Sequence, residues 1–485
     1  MTAAVSGHAA GECADLKHFA QFRARVAQWP VTAVVTGPHS HTSSGASMTP
    51  STSLITQWVA AHETELLELV KEFVAIPSEN RPPHGGELEF QDFFAGNLSA
   101  LGMDVRTFLV TDAEGVEAHP LYWPGRDYSD RPNVVGTLPG AGGGRSLLLT
   151  GHGDVVIGVP GKHPPFEPVI EEGRLYGRGS NDMKGGLAAA VMAIRCLREL
   201  GVTLDGDLVL ESVVDEELGG ANGTLASRLL NRNPDAAVIM EPSNLVVCPA
   251  HLGGRTFRIK IRGAGGMGFG GMEIVNPIYA MAHLITAIES FAEDWRRVPA
   301  PSPELDPGRG LDTVLSIAQS GDFEPGQGDG VPNDAVLEVW IESFPGMTSV
   351  ELDEAFLGFC RDVVARDRVL SKCQVSYEYA TRFLDGSSIP ADHAIVKAAA
   401  AAMTAVLGAD RTIVQAAPFA CDGFILAAFG IPTLILGPSG DNAHSADEFV
   451  TCRSLTELTA TLARLVADWC GVASVQGEEV ATDVQ

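Results

Sequence analysis

From Leu54 to Ile76 the apolar residues Leu54, Trp58, Val59, Leu66, Leu67, Leu69, Val70, Phe73 and Val74 return at steps of three and four, the period of an amphipathic helix. Farther along, the pattern shortens to apolar runs at Ser146 to Thr150, Leu208 to Val214 and Ala236 to Met240, each rich in leucine or β-branched residues and bounded by Gly, Asp or Pro. Helical spacing over Gly185 to Leu200 lies between the first two of them. Short strands alternating with helices predict an α/β layer with a mostly parallel central sheet, whose functional groups gather beyond the carboxyl ends of the strands. His152, Glu216 and Glu241 each fall at or just past such an end.

After Gly254 the pattern changes. Thr256 to Ile261 alternates as a half-exposed strand, Asn276 to Trp295 and Ser349 to Ala365 have helical spacing, and Thr313 to Ala318, Ala335 to Ile341 and Gln374 to Tyr379 read as strands. That order predicts a small α+β sandwich inserted in the first domain, with the proline-rich stretch from Pro299 to Leu311 as a loop. The helix-strand alternation returns from His393, with a helix at Ala398 to Leu407, strands at Thr412 to Gln415 and Thr433 to Leu436, and a last helix at Leu455 to Cys470. The expected domains are therefore a disordered leader over 1–47, a catalytic domain in two parts, 48–252 and 383–472, an inserted domain over 253–382, and a fraying tail over 473–485.

A length of 485 residues suits two domains. The formal charge of −28 argues against nucleic acid or an anionic membrane as partner. The eight cysteines are scattered and form no Cys-x-x-Cys pair, which excludes a zinc knuckle and points to a reduced, cytoplasmic protein. No apolar run approaches the roughly 18 residues of a membrane span. A basic region leading into an apolar core is likewise missing from the N-terminus, so secretion is not expected.

The chemistry lies in five short segments. They are Gly-His-Gly-Asp with His152 and Asp154, Asn-Asp-Met-Lys-Gly-Gly with Asp182, Asp-Glu-Glu with Glu216 and Glu217, Met-Glu-Pro-Ser with Glu241, and Asn-Ala-His-Ser-Ala-Asp-Glu with His444. Two imidazoles and three carboxylates can hold two Zn²⁺ ions if one carboxylate bridges them, and a further carboxylate is then free to act as a base. Taken singly, each segment has a plainer reading: Asp182 as a helix cap, Glu216 and Glu217 as a solvated acidic turn, His444 as another cap.

In order and spacing the five segments resemble the co-catalytic zinc family of acetylornithine deacetylase, succinyl-diaminopimelate desuccinylase, aminoacylase-1 and glutamate carboxypeptidase, over roughly Leu54 to Cys470. The resemblance implies that His152, Asp182 and Glu241 hold one metal and Asp182, Glu217 and His444 the other, with Asp182 bridging. Glu216 would be the general base, and Asp154 would support His152 from behind. Two divalent ions are implied as cofactors, Zn²⁺ first, with Co²⁺ or Mn²⁺ as alternatives. The implied activity is hydrolysis of the amide of a small N-acyl amine, N-acyl amino acid derivative or dipeptide-like substrate, in a homodimer that pairs through the inserted lid domain.

The likeness breaks in the lid. Where relatives carry a histidine, an asparagine and an arginine that contact the substrate, alignment on flanking residues places Met267, Asp329 and Glu342. An alignment slip among the glycines of 263–271, a substrate lacking the usual carboxylate, or an altered outcome on the same metal site, such as amide formation or a non-catalytic binding role, would each account for part of this. The second fits all three positions best, with Glu342 repelling a substrate carboxylate. The glycine-rich run lacks the Gly-Lys-Ser/Thr ending of a phosphate loop.

Overall fold

The computed structural model of the chain describes residues 49–321 and 330–475. The leader over 1–47, Asp329 and the last ten residues of the tail lie outside them. Among the described residues, chain contacts separate Leu252–Gly386 from the segments on either side, so the fold consists of two units.

The first unit opens with α1 (Thr52–Ala61) and α2 (Glu63–Ala75). The single periodic stretch seen in the sequence is thus two helices. His62 breaks it: its N–H returns to the carbonyls of Trp58 and Val59, and its ring stacks on Trp58 at 3.9 Å. After α3 (Leu88–Ala100) come β1 (Asp104–Leu109), β2 (Pro132–Leu138), β3 (Leu147–His152), α4 (Gly185–Glu199), β4 (Leu208–Val213), α5 (Asn222–Leu230) and β5 (Ala236–Ile239).

The inserted unit follows the element order expected of it: β6 (Gly253–Arg262), α6 (Pro277–Trp295), β7 (Thr313–Ser320), β8 (Asp334–Ser343), α7 (Ser349–Arg366) and β9 (Gln374–Tyr379). Asn276 caps α6 through the Ile278 N–H, and Thr348 with Glu351 forms a capping box on α7. The four strands make an antiparallel sheet in the order β7-β8-β6-β9. Its alternate inward residues Phe257, Ile259, Ile261, Leu337, Val339 and Ile341 form a separate core with Leu284, Phe291, Trp295 and Phe356 of the two helices.

The chain re-enters the first unit with α8 (Ala394–Leu407), β10 (Thr433–Ile435) and α9 (Cys452–Cys470). Thr412 to Gln415, expected as a strand, makes only an isolated bridge between Val414 and Val247. The start of the tail, residues 473–475, does not fray but belongs to a strand, Val472–Val475, that pairs with Val202–Leu204. The six-stranded sheet runs β10-β5-β3-β4-β2-β1, with parallel pairing from β10 to β4 and antiparallel pairing beyond. Helix α4 is buried along almost its whole length against this sheet, α9 and the α1–α2 pair, which accounts for its alanine-rich, uniformly apolar sequence.

Candidate metal centre

Three adjacent parallel strands deliver the first groups to one edge of the sheet. His152 is the last residue of β3, Glu216 and Glu217 follow β4, and Glu241 follows β5. Parallel order puts all three carboxyl ends on the same side, which is why the site can form there. Asp182 lies just ahead of α4. That helix can approach Glu241 closely because residue 186 is glycine: a Cβ there would stand 2.4 Å from the Met240 carbonyl oxygen. His444 sits in the loop between β10 and α9 with φ of 59°, a left-handed conformation that a histidine adopts only when its surroundings impose it.

The side chains converge around Asp182. Its Oδ1 lies 3.3 Å from His152 Nε2 and its Oδ2 lies 3.2 Å from His444 Nε2. On the first side, Glu241 Oε1 is 3.3 Å from His152 Nε2 and Glu216 Oε2 is 3.8 Å from it. On the second, Glu217 Oε2 is 2.7 Å from His444 Nε2. The ligand atoms of His152, Glu216 and Glu241 fall within 4.8 Å of one another, as do those of His152, Asp182 and Glu217. The two groups have His152 in common, and the two oxygens of Asp182 face His152 and His444 separately.

The donor set suits divalent cations on grounds of charge. Burial pushes Glu216 well above the ordinary carboxyl range, with Asp422, Glu241 and Glu217 adding to it and His152 opposing. Burial likewise raises Glu217, and Glu241 to about 8. Burial also works to raise Asp182, but the hydrogen bonds and charges of His152 and His444 hold it below its usual range. Both imidazoles are held well above theirs by the surrounding carboxylates, against burial. Four carboxylates thus compete for protons against two imidazoles. Two divalent cations bound to neutral imidazoles would balance all four, and mixed nitrogen and oxygen donors are what Zn²⁺ takes.

Behind these groups lies a layer of hydrogen bonds. His152 Nδ1 is 2.8 Å from the main-chain oxygen of Asp154, whereas the nearest Asp154 carboxylate oxygen is 3.7 Å away. The group of Asp154 that meets the ring is therefore its backbone carbonyl, which accepts a hydrogen bond from Nδ1–H and leaves Nε2 free. The carboxylate of Asp154 instead accepts the N–H groups of Glu216 at 3.2 Å and Glu217 at 3.1 Å, and the Asn80 amide at 2.8 Å. Asp215, directly ahead of Glu216, is buried, accepts a hydrogen bond from Tyr128 at 2.6 Å and pairs with Arg126 at 3.3 Å.

Asp182 is held by Glu448. One Glu448 oxygen accepts the N–H groups of Asn181 and Asp182, both at 3.0 Å, and the other accepts that of Gly179 at 3.0 Å and pairs with Arg178. Arg178 donates onward to the Ser445 carbonyl at 2.9 Å, next to His444. One buried ion pair thus joins the Asp182 loop to the His444 loop, so we expect Glu448→Gln to weaken metal binding by about 10- to 100-fold, the usual cost of losing a partner of a ligand. The melting temperature should fall too, because breaking a buried pair costs about 3–5 kcal/mol. Competition with a graded chelator reads the first effect, and unchanged metal affinity would contradict it.

Of the remaining sequence candidates, Met267 and Glu342 belong to the inserted unit, and Asp329 lies outside the described residues. Met267 is 45% exposed on the loop after β6, beside the still more exposed Phe269 and Met272. Glu342 was expected to present an unpaired negative charge, and here the structure differs. Its carboxylate is buried and takes Arg309 through both oxygens at 3.0 and 2.7 Å, plus the Asp312 N–H at 2.6 Å. A carboxylate so neutralised has little repulsion left for a substrate. Arg255, a cation on β6 of the same unit, is engaged by Asp353 at 2.7 and 2.9 Å.

Sequence reasoning passed over Arg178, Glu448, Asn80 and Asp215. Arg178 and Glu448 had a signal: each stands four residues from a proposed ligand, in the Gly-Arg-Gly before Asp182 and at the end of the His444 segment.

Residues 148–468 match the model of peptidase family M20/M25/M40. The N-formyl-4-amino-5-aminomethyl-2-methylpyrimidine deformylase of Bacillus subtilis is 27% identical over 447 residues, covering 85% of this chain and 96% of the relative. The acetylornithine deacetylase of Proteus mirabilis is 26% identical over 349 residues, covering 70% and 82%. Among solved structures, human carnosine dipeptidase 1 superposes with a TM-score of 0.68 at 16% identity, covering 86% of this chain and 99% of that one, a likeness of fold.

Proposed function

This chain belongs to peptidase family M20/M25/M40, a family of metal-dependent hydrolases, and from that premise we propose that it hydrolyses the amide of a small N-acyl amine, using a two-metal site and Glu216 as general base. The observation that carries the reading is Asp182, whose two oxygens face two different histidines at 3.3 and 3.2 Å. The deformylase and deacetylase relatives each act, by name, on an acylated amine. A formyl or acetyl group on a small amine is accordingly the substrate class proposed here.

His152, Asp182 and Glu241 would hold one cation, and Asp182, Glu217 and His444 the other. When bound, the cations polarise the amide carbonyl and bring the pKa of water toward neutrality. The protein groups do the rest. Glu216 takes a proton from the attacking water at its carboxylate and passes it to the leaving nitrogen, which must be protonated before the amine can depart. The main-chain oxygen of Asp154 keeps the His152 proton on Nδ1, and the Asp154 carboxylate anchors the backbone of Glu216 and Glu217.

No helix among the described residues is long and apolar enough to cross a membrane. A cytoplasmic location is proposed from the seven described cysteines, all unpaired. A homodimer is proposed through the inserted unit, where β7 is an edge strand with Val314 and Ile317 exposed.

The test is a panel of N-formyl and N-acetyl amines, N-acetyl amino acids and dipeptides, assayed before and after chelation and with Zn²⁺, Co²⁺ or Mn²⁺ restored. Hydrolysis of acylated amines that vanishes on chelation and returns with metal is expected. Metal-independent hydrolysis, or cleavage of dipeptides alone, would overturn the reading.

A further inference from the structure

A cleft of about 500 Å³ opens beside His444 in the first unit. Its walls come from the same loops that carry the proposed metal ligands. Val156 and Ile157 follow the His152–Asp154 turn, Leu218 follows Glu217, and Pro82 lies across from them. The loops are fixed relative to the site: the Val156 N–H donates to Glu217 Oε1 at 3.1 Å, and the Gly158 N–H to Glu79 Oε1 at 2.7 Å.

The cleft is apolar where the site is charged. Ile157 is 48% exposed and Leu218 37% exposed, so two large aliphatic side chains meet water at the mouth of a polar centre. The cation at the rim, Arg81, is already matched, since its Nε and Nη2 both donate to Glu79 Oε2 at 2.9 and 2.5 Å. Asn80, at the base, gives its amide to Asp154 and Asp215. Apart from His444, whose ring faces Asp182 and Glu217, the cleft wall of Pro82, Val156, Ile157 and Leu218 is apolar.

We infer that this cleft binds an uncharged apolar group, of branched aliphatic or aromatic size, attached beside the scissile amide, and that Ile157 and Leu218 set the preference for it. The inference rests on the proposed amidohydrolase reading for the position of the amide, and it names the class of substituent. It also relocates the selection against charge from Glu342, whose carboxylate is occupied by Arg309, to the apolar wall beside His444.

Binding separates the two readings. Calorimetry on the metal-loaded Glu216→Gln protein uses N-acetylbenzylamine and N-methylphenylacetamide, which place an aromatic ring on the amine or the acyl side, against anionic N-acetylglycine and cationic N-acetylethylenediamine. At least one aromatic amide should bind about 10-fold or more tightly than both charged ones, in the range that small apolar differences give in enzyme pockets. Adding Ile157→Ser and Leu218→Ser should erase that difference with metal content unchanged. Equal binding of all four, tighter binding of a charged amide, or a preference that survives both serines overturns the inference. Should the wild-type protein hydrolyse no amide, the functional reading fails while the cleft is still judged by these binding data.

Discussion

Replacing Glu216 with glutamine is expected to lower turnover by about 100- to 10,000-fold, the contribution typical of a positioned general base, with metal content unchanged. Glutamine keeps the shape of the side chain, and the position of residue 216 is set mainly by its backbone, whose N–H bonds to Asp154 Oδ1 at 3.2 Å. The substitution therefore removes proton transfer and little else. Steady-state kinetics with elemental analysis of the same sample reads both halves. The two halves also discriminate roles, because Glu216 shares a neighbourhood with His152 and Glu241. A near-native rate would exclude it as the base. Loss of metal along with activity would instead make it a ligand.

The second large effect is expected at Asp182. Its two oxygens face His152 and His444 separately, so Asp182→Ala should lower occupancy of both cations. His444→Ala should deplete only the set that contains Glu217. Activity of Asp182→Ala should fall by more than about 100-fold, beyond what loss of a ligand's partner brings. If Asp182→Ala retained one full equivalent of metal, the aspartate would belong to one set alone.

Much of this was legible in the sequence because it depends on residue type and period. The strand ends at His152, Glu216 and Glu241 follow from short apolar runs that stop at polar residues, and buried α4 follows from its alanine-rich stretch. What was not legible depends on backbone geometry. Nothing in a His-x-Asp pair tells whether the second residue offers its side chain or its carbonyl, and here it is the carbonyl. The break at His62 arises from local backbone bonding that the apolar period does not record. Glu342 misled because aligning it with a substrate-binding arginine says nothing of Arg309, 33 positions earlier, which neutralises it. Val472–Val475 is followed in sequence by polar and acidic residues but pairs with Val202–Leu204, a long-range pairing invisible to local composition.

The central claim is that Asp182 joins two metal sets and Glu216 serves them without holding them. The most direct test is the number of divalent ions bound per chain in three proteins prepared alike, measured by elemental analysis after dialysis against limiting free Zn²⁺. The account predicts two in the wild type, two in Glu216→Gln and fewer than one in Asp182→Ala. One ion per chain in the wild type, or equal loss from Glu216→Gln and Asp182→Ala, would contradict it.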